Sequence, residues 1–139
     1  DHHWLASYLV HQQAQPVRSH LPPLILDVWN EKAFLRWVER HGPDAVVSKL
    51  PEVAVALRQA GYRLPADIGV ALHSMVEQGP PNECSGMLKH PLQVGQMAVD
   101  LLIDMIHRNE KGVPTLPQQH LIDGSWHEGR TLRPRADAH

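Results

Sequence analysis

The chain has 139 residues, 42% hydrophobic and 20% charged, with a formal net charge of -2. This length allows one domain with a real core, and this balance excludes a disordered chain. Basic and acidic groups are interspersed, so no basic stripe marks a nucleic-acid surface. No run of 18 apolar residues could span a membrane, and the opening at Asp1 has no charged segment of a secretory leader. The single cysteine, Cys84, has no internal disulfide partner, which fits a reducing compartment.

Residues 3–13 place Trp4, Leu5, Tyr8 and Leu9 on one face, which predicts a helix. Residues 15–23 hold three prolines and read as a linker. The run LILDV at 24–28 predicts a short buried strand. Asn30 is placed to cap a helix over 31–40 that turns Phe34, Leu35 and Val38 inward and ends at Gly42-Pro43. A strand is expected at 45–48. Next comes a helix over 51–60 that buries Val53, Ala54 and Leu57 and stops at Gly61. Residues 68–72 predict a third apolar strand, and 77–82 a loop. Residues 85–89 are expected to form a short strand or an extended connection.

The longest patterned stretch begins after His90-Pro91. Val94, Met97, Ala98, Leu101, Leu102, Met105 and Ile106 follow the spacing of a helix that buries one broad face. Val99 and Ile103 widen that face, and one of its flanks is a candidate dimer seam. His107, Arg108 and Lys111 suit the carboxyl end of its dipole, with Gly112 expected as a left-handed cap and Pro114 as a block. Residues 119–122 are expected to run as a strand into Gly124, and 133–139 to fray. Strand and helix thus alternate. The expected fold is α/β, a parallel sheet with helices on both faces and the long helix packed across it.

Four pieces in order carry a resemblance: PDAVVS at 43–48, LRQAGYRLPADIGVA at 57–71, VGQMAVDLLI at 94–103 and LIDGSWHEGRTL at 121–132. Their order and spacing resemble lactose-repressor (LacI) type transcription regulators over nearly the whole chain. The most specific are Gly61-x-x-Leu64-Pro65-x-Asp67-Ile68-Gly69-Val70 and Gly124-x-Trp126-x-x-Gly129-x-Thr131. The resemblance implies a periplasmic-binding-protein-like (type I) core that holds a small polar effector, most often a sugar, in a cleft between two lobes. Residues 1–89 would form most of the C-terminal lobe. Residues 90–113 would be a helix crossing to the N-terminal lobe, and 114–139 a return strand and tail. The N-terminal lobe and the helix-turn-helix head that reads DNA would lie outside this chain. The resemblance further implies a homodimer, a cytoplasmic location, no membrane contact, no cofactor and no enzymatic activity.

Effector positions carry over one at a time. Trp4 stands where the family often has an arginine opening the first helix. Trp29, beside Asp27, stands where an aromatic stacks on the ligand. Ser48-Lys49 replaces the usual Asn-Asp, and Leu72-His73-Ser74 replaces the usual Gly-aromatic-Asp. Lys89 stands where a polar side chain would face the cleft. Two familiar acceptors of sugar hydroxyls are therefore absent, which implies an unusual effector, a degenerate site or a frame shifted by one residue.

Blander roles compete for the same residues. Trp29 can be a core tryptophan beside Phe34, and Asp27 a solvated loop acid or a helix cap. The eleven histidines show no paired spacing on one helical face, so no metal site is expected. Cys84 with His73 or His90 would be the thiol–imidazole pair of a small α/β enzyme, but it follows a Pro-Pro loop rather than opening a helix. Ser125 lies outside a Gly-x-Ser-x-Gly elbow. The main alternative to the regulator is the sugar-binding protein of a transporter, which shares the same core.

Overall fold

The computed structural model describes residues 2–76, 83–113 and 116–134. The described elements are α1 (His2–Gln13), a 3-10 turn (Val17–Ser19), α2 (Glu31–His41), β1 (Ala45–Ser48), α3 (Glu52–Gln59), β2 (Gly69–Val76), β3 (Ser85–Lys89), α4 (Pro91–His107) and β4 (Ser125–His127). The strands form one open sheet in the order β1-β2-β3-β4. β1, β2 and β3 run parallel, and β4 closes the edge antiparallel to β3. The molecule is α/β, as the alternation in the sequence requires.

The core lies on one face of the sheet. Val70 and Leu72 alternate onto that face and are 0% and 3% exposed. Phe34 and Val38 of α2, and Val53, Ala54, Ala56 and Leu57 of α3, close over them with Ile68, Met75 and Cys84. Local chemistry fixes both helices. Asn30 Oδ1 accepts the Ala33 N–H at 2.9 Å at the start of α2, and Gly42 takes a left-handed conformation at its end. At the end of α3, Gly61 has φ +91, which an L side chain rarely adopts. There the Tyr62 N–H donates back to Leu57 and the Gly61 N–H to Arg58, satisfying two terminal carbonyls.

The opposite face is open. On it Val47 is 67% exposed and Trp126 50% exposed. α1 reaches this face where Trp4 stacks on His73. α4 buries none of its residues, so it is not packed across the sheet as its periodicity predicts. Val94, Val99, Leu102 and Ile106 are all exposed. The whole chain presents 11234 Å² to solvent. A compact monomer of this size exposes about 7,200 Å².

Besides the unpacked α4 and the largely open face where helices were expected, three further predicted features are corrected. The first is the strand expected at 24–28: residues 21–30 contain no strand, and Ile25 and Val28 lie exposed. Pro22 and Pro23 have no N–H to offer a ladder. The Pro22 carbonyl instead accepts the Trp37 indole N–H at 2.9 Å, and the Leu21 carbonyl accepts from Tyr8 and Gln12 of α1. The second is the return strand, which forms at Ser125–His127 rather than at 119–122, where Leu121 is 82% exposed. The third is the end of α4. It ends at His107, with the left-handed residue Asn109 (φ 52) just beyond, rather than running to Gly112. The Glu110 N–H donates to Met105 and the Asn109 N–H to Ile106, a left-handed cap that asparagine tolerates. Pro114 and the loop expected at 77–82 lie outside the described residues, as does most of the tail.

The closing Gly-x-Trp-x-x-Gly-x-Thr segment is a fastener. Thr131 is fully buried. Its hydroxyl donates to the Val70 carbonyl at 2.6 Å and accepts the Ser85 N–H at 2.9 Å. Its own carbonyl accepts the Val70 N–H at 2.8 Å. The segment therefore continues the ladder beside β2 just ahead of β3. Gly129 is required for this approach, because a Cβ there would stand 2.4 Å from the Cys84 carbonyl carbon.

Candidate functional site

In a parallel sheet, ligands are taken beyond the carboxyl ends of the strands, where loops leave the sheet. Here that edge is formed by the ends of β1, β2 and β3. β1 ends at Ser48, opposite Leu72. β2 runs on to Val76, past its partner strand, and lies opposite Lys89 at the end of β3. The sequence reading ended this strand at Leu72, so it missed the overhang, which carries His73 and Ser74.

The overhang is also irregular. Leu72 pairs with Gly86, but Met75 pairs with Leu88, so His73 and Ser74 together oppose Met87. This is a bulge with one extra residue, a device that bends a strand and re-aims its side chains. A close approach permits it: a Cβ on Gly86 would stand 2.1 Å from the Leu72 carbonyl oxygen.

Trp4 of α1 lies over the bulge. Its ring centroid is 4.6 Å from that of His73, with the planes tilted by 32°. Trp4 remains 56% exposed, so much of its surface is open to solvent. Burial lowers the His73 pKa from its ordinary value, and the charges of Lys89 and Lys49 lower it further. The imidazole is thus held toward its neutral form between two cations. Ser48 is half-buried, and its Oγ accepts the Leu50 N–H at 3.0 Å, which fixes the turn that presents Lys49. Lys49 and Lys89 are exposed, Ser74 is half-buried, and neither lysine forms an ion pair among the described residues.

Six of the eight residues singled out from the sequence therefore belong to this edge: Trp4, Ser48, Lys49, His73, Ser74 and Lys89. The other two do not join them. Trp29 packs on Phe34, with centroids 5.4 Å apart, against the core cluster. Asp27 is exposed on a bend with no strand behind it.

Other chemistry expected or weighed from the sequence lies elsewhere. Cys84 is buried, and burial pushes its thiol up, away from the thiolate. Among the described residues, no group of three His, Cys, Asp or Glu side chains is placed to hold a metal ion. No helix among them is long and apolar enough to cross a membrane. An open depression of about 580 Å³ runs along α4, lined by Pro91, Leu92, Gly95, Gln96, Val99 and Asp100, and none of the edge residues line it.

Compared with known proteins, the chain matches no family model, no curated protein and no solved structure.

Proposed function

We propose that this chain is the effector-binding part of a LacI-type transcriptional regulator, with a periplasmic-binding-protein-like core completed by residues outside it. The observation that carries the reading is the Trp4–His73 stack over the bulge at the carboxyl edge of parallel strands. The stack offers a ligand a flat apolar surface, with hydroxyl and ammonium groups beside it. The order of the four sequence pieces supports the same reading. So does the open surface: the exposed apolar side chains of α4 are the kind of face that a second lobe or a second subunit covers.

In this account a small polar molecule, of the sugar class, binds between the sheet edge and the facing lobe. It binds the closed arrangement better than the open one and so shifts the population between them. A homodimer relays that shift to a DNA-binding head ahead of this chain, in the cytoplasm. No step of bond making is involved. The test is the coding sequence upstream. A helix-turn-helix segment supports the regulator, whereas a secretory leader overturns it in favour of a transporter's binding protein.

A further inference from the structure

The six edge residues differ from a neutral-sugar site in one respect: among these described side chains are two cationic donors, Lys49 and Lys89, and no carboxylate. Lys49 follows the end of β1, on one side of the β2 overhang, and Lys89 ends β3 on the other. Both exert their charge on His73, and no carboxylate acts on it among the described residues. Asp27, the acid expected from the sequence, stands on an unpaired bend instead. An ammonium group is a donor only, so two of them complement a group that only accepts. Sugar hydroxyls both donate and accept, and they leave two like charges uncompensated.

We propose that the ligand taken at this edge carries an anionic group, a phosphate or a carboxylate, held between Lys49 and Lys89 with the body of the ligand against the Trp4–His73 stack. This rests on the effector reading above and names its ligand class. The Ser48 hydroxyl accepts the Leu50 N–H and keeps its own O–H to donate, so Ser48 and the half-buried Ser74 are the two hydroxyl donors this edge offers the anion. Attraction between exposed charges is screened by salt over about 8–10 Å at ordinary ionic strength. Binding of the anion must therefore weaken as salt rises.

The experiment is calorimetric titration of the intact parent protein with a panel of neutral sugars, their 6-phosphates and their uronic acids, with inorganic phosphate alone as a further probe. It is run at low and high salt, on the parent and on a Lys49→Gln/Lys89→Gln double variant. The expected result is that a charged member binds at least about tenfold more tightly than its neutral counterpart, since charge-assisted hydrogen bonds are roughly twice as strong as neutral ones. That advantage shrinks at high salt and disappears in the double variant, whose melting temperature stays unchanged. The phosphate and uronic arms tell which anion it is. A neutral sugar that binds as tightly as its charged forms overturns the inference and leaves the effector reading standing. An advantage that survives in the double variant also overturns it. Absence of binding by every member, charged and neutral, overturns both.

Discussion

The indole of Trp4 stacks on the imidazole of His73, 4.6 Å between centroids, joining the first helix to the bulged end of a central strand. An aromatic pair of this kind contributes about 0.5–1.5 kcal/mol. Trp4→Ala should therefore lower stability by no more than about 1 kcal/mol, because Trp4 is more than half exposed. Its effect on ligand binding should be larger, since the ligand's apolar face loses its platform. Denaturant titration beside calorimetric binding separates the two losses. A variant that loses stability and binding in equal measure would show that the stack is merely structural.

Thr131 should act on the fold alone. Thr131→Val keeps the volume and removes the hydroxyl, leaving the Val70 carbonyl and the Ser85 N–H without that partner. Each buried group left unpaired costs about 1–3 kcal/mol, so the total loss should be about 2–6 kcal/mol. The denaturation midpoint should fall with little change in slope. A loss below about 0.5 kcal/mol, the range of an ordinary surface change, would remove the fastening role.

The two apolar surfaces predict opposite behaviour. Leu57 is fully buried, and Leu57→Ala should cost about 2–5 kcal/mol in the chain by itself. Leu102→Gln with Ile106→Gln, on the open side of α4, should change the isolated chain by about 0.5 kcal/mol or less. In the parent protein the same pair should lower the melting temperature or dissociate the dimer, seen by sedimentation. Equal, small effects in both settings would mean that nothing covers α4.

Acid should loosen the turn before β2. Arg63 holds Asp67 through its side chain and also its backbone N–H, which takes the Asp67 carboxyl down to about 2. A carboxyl lowered by folding adds stability that is fully present above the unfolded value, about 3.9. That part is lost as pH falls from about 4 toward 2. Melting curves of the protein and of Asp67→Asn should therefore converge over that interval. Curves that stay parallel down to pH 2 would exclude the contribution. The pair stands at the surface in contact with solvent, so the effect is small.

What the sequence made legible was whatever local chemistry decides. Asn30, Gly42 and Gly61 marked helix ends because capping is a matter of neighbouring atoms. The apolar run at β2 stood out because the sheet buries one of its faces under α2 and α3. The misses at 24–28 and in the packing of α4 share a cause. Periodicity reports which side chains can be buried, not what they are buried against. LILDV at 24–28 has the composition of a strand, yet no partner accepts it here. α4 has the stripe of a packed helix, yet nothing within the described residues covers it. Six of the residues singled out through the resemblance stand at one sheet edge. The bulge was not legible, because an extra residue in a ladder is defined by the partner strand.

The most direct test of the account is a melting comparison of the intact parent protein and its His73→Ala variant against a panel of neutral and anionic sugars. A ligand bound to the folded state alone stabilises it by about 2.7 kcal/mol at a hundredfold excess over its dissociation constant. The account predicts that at least one compound raises the parent's midpoint and that His73→Ala removes the rise, while the ligand-free midpoint falls only by what the loss of the stack costs, about 0.5–1.5 kcal/mol. A rise of equal size in the variant would place the ligand elsewhere. No rise with any compound would contradict effector binding at this edge.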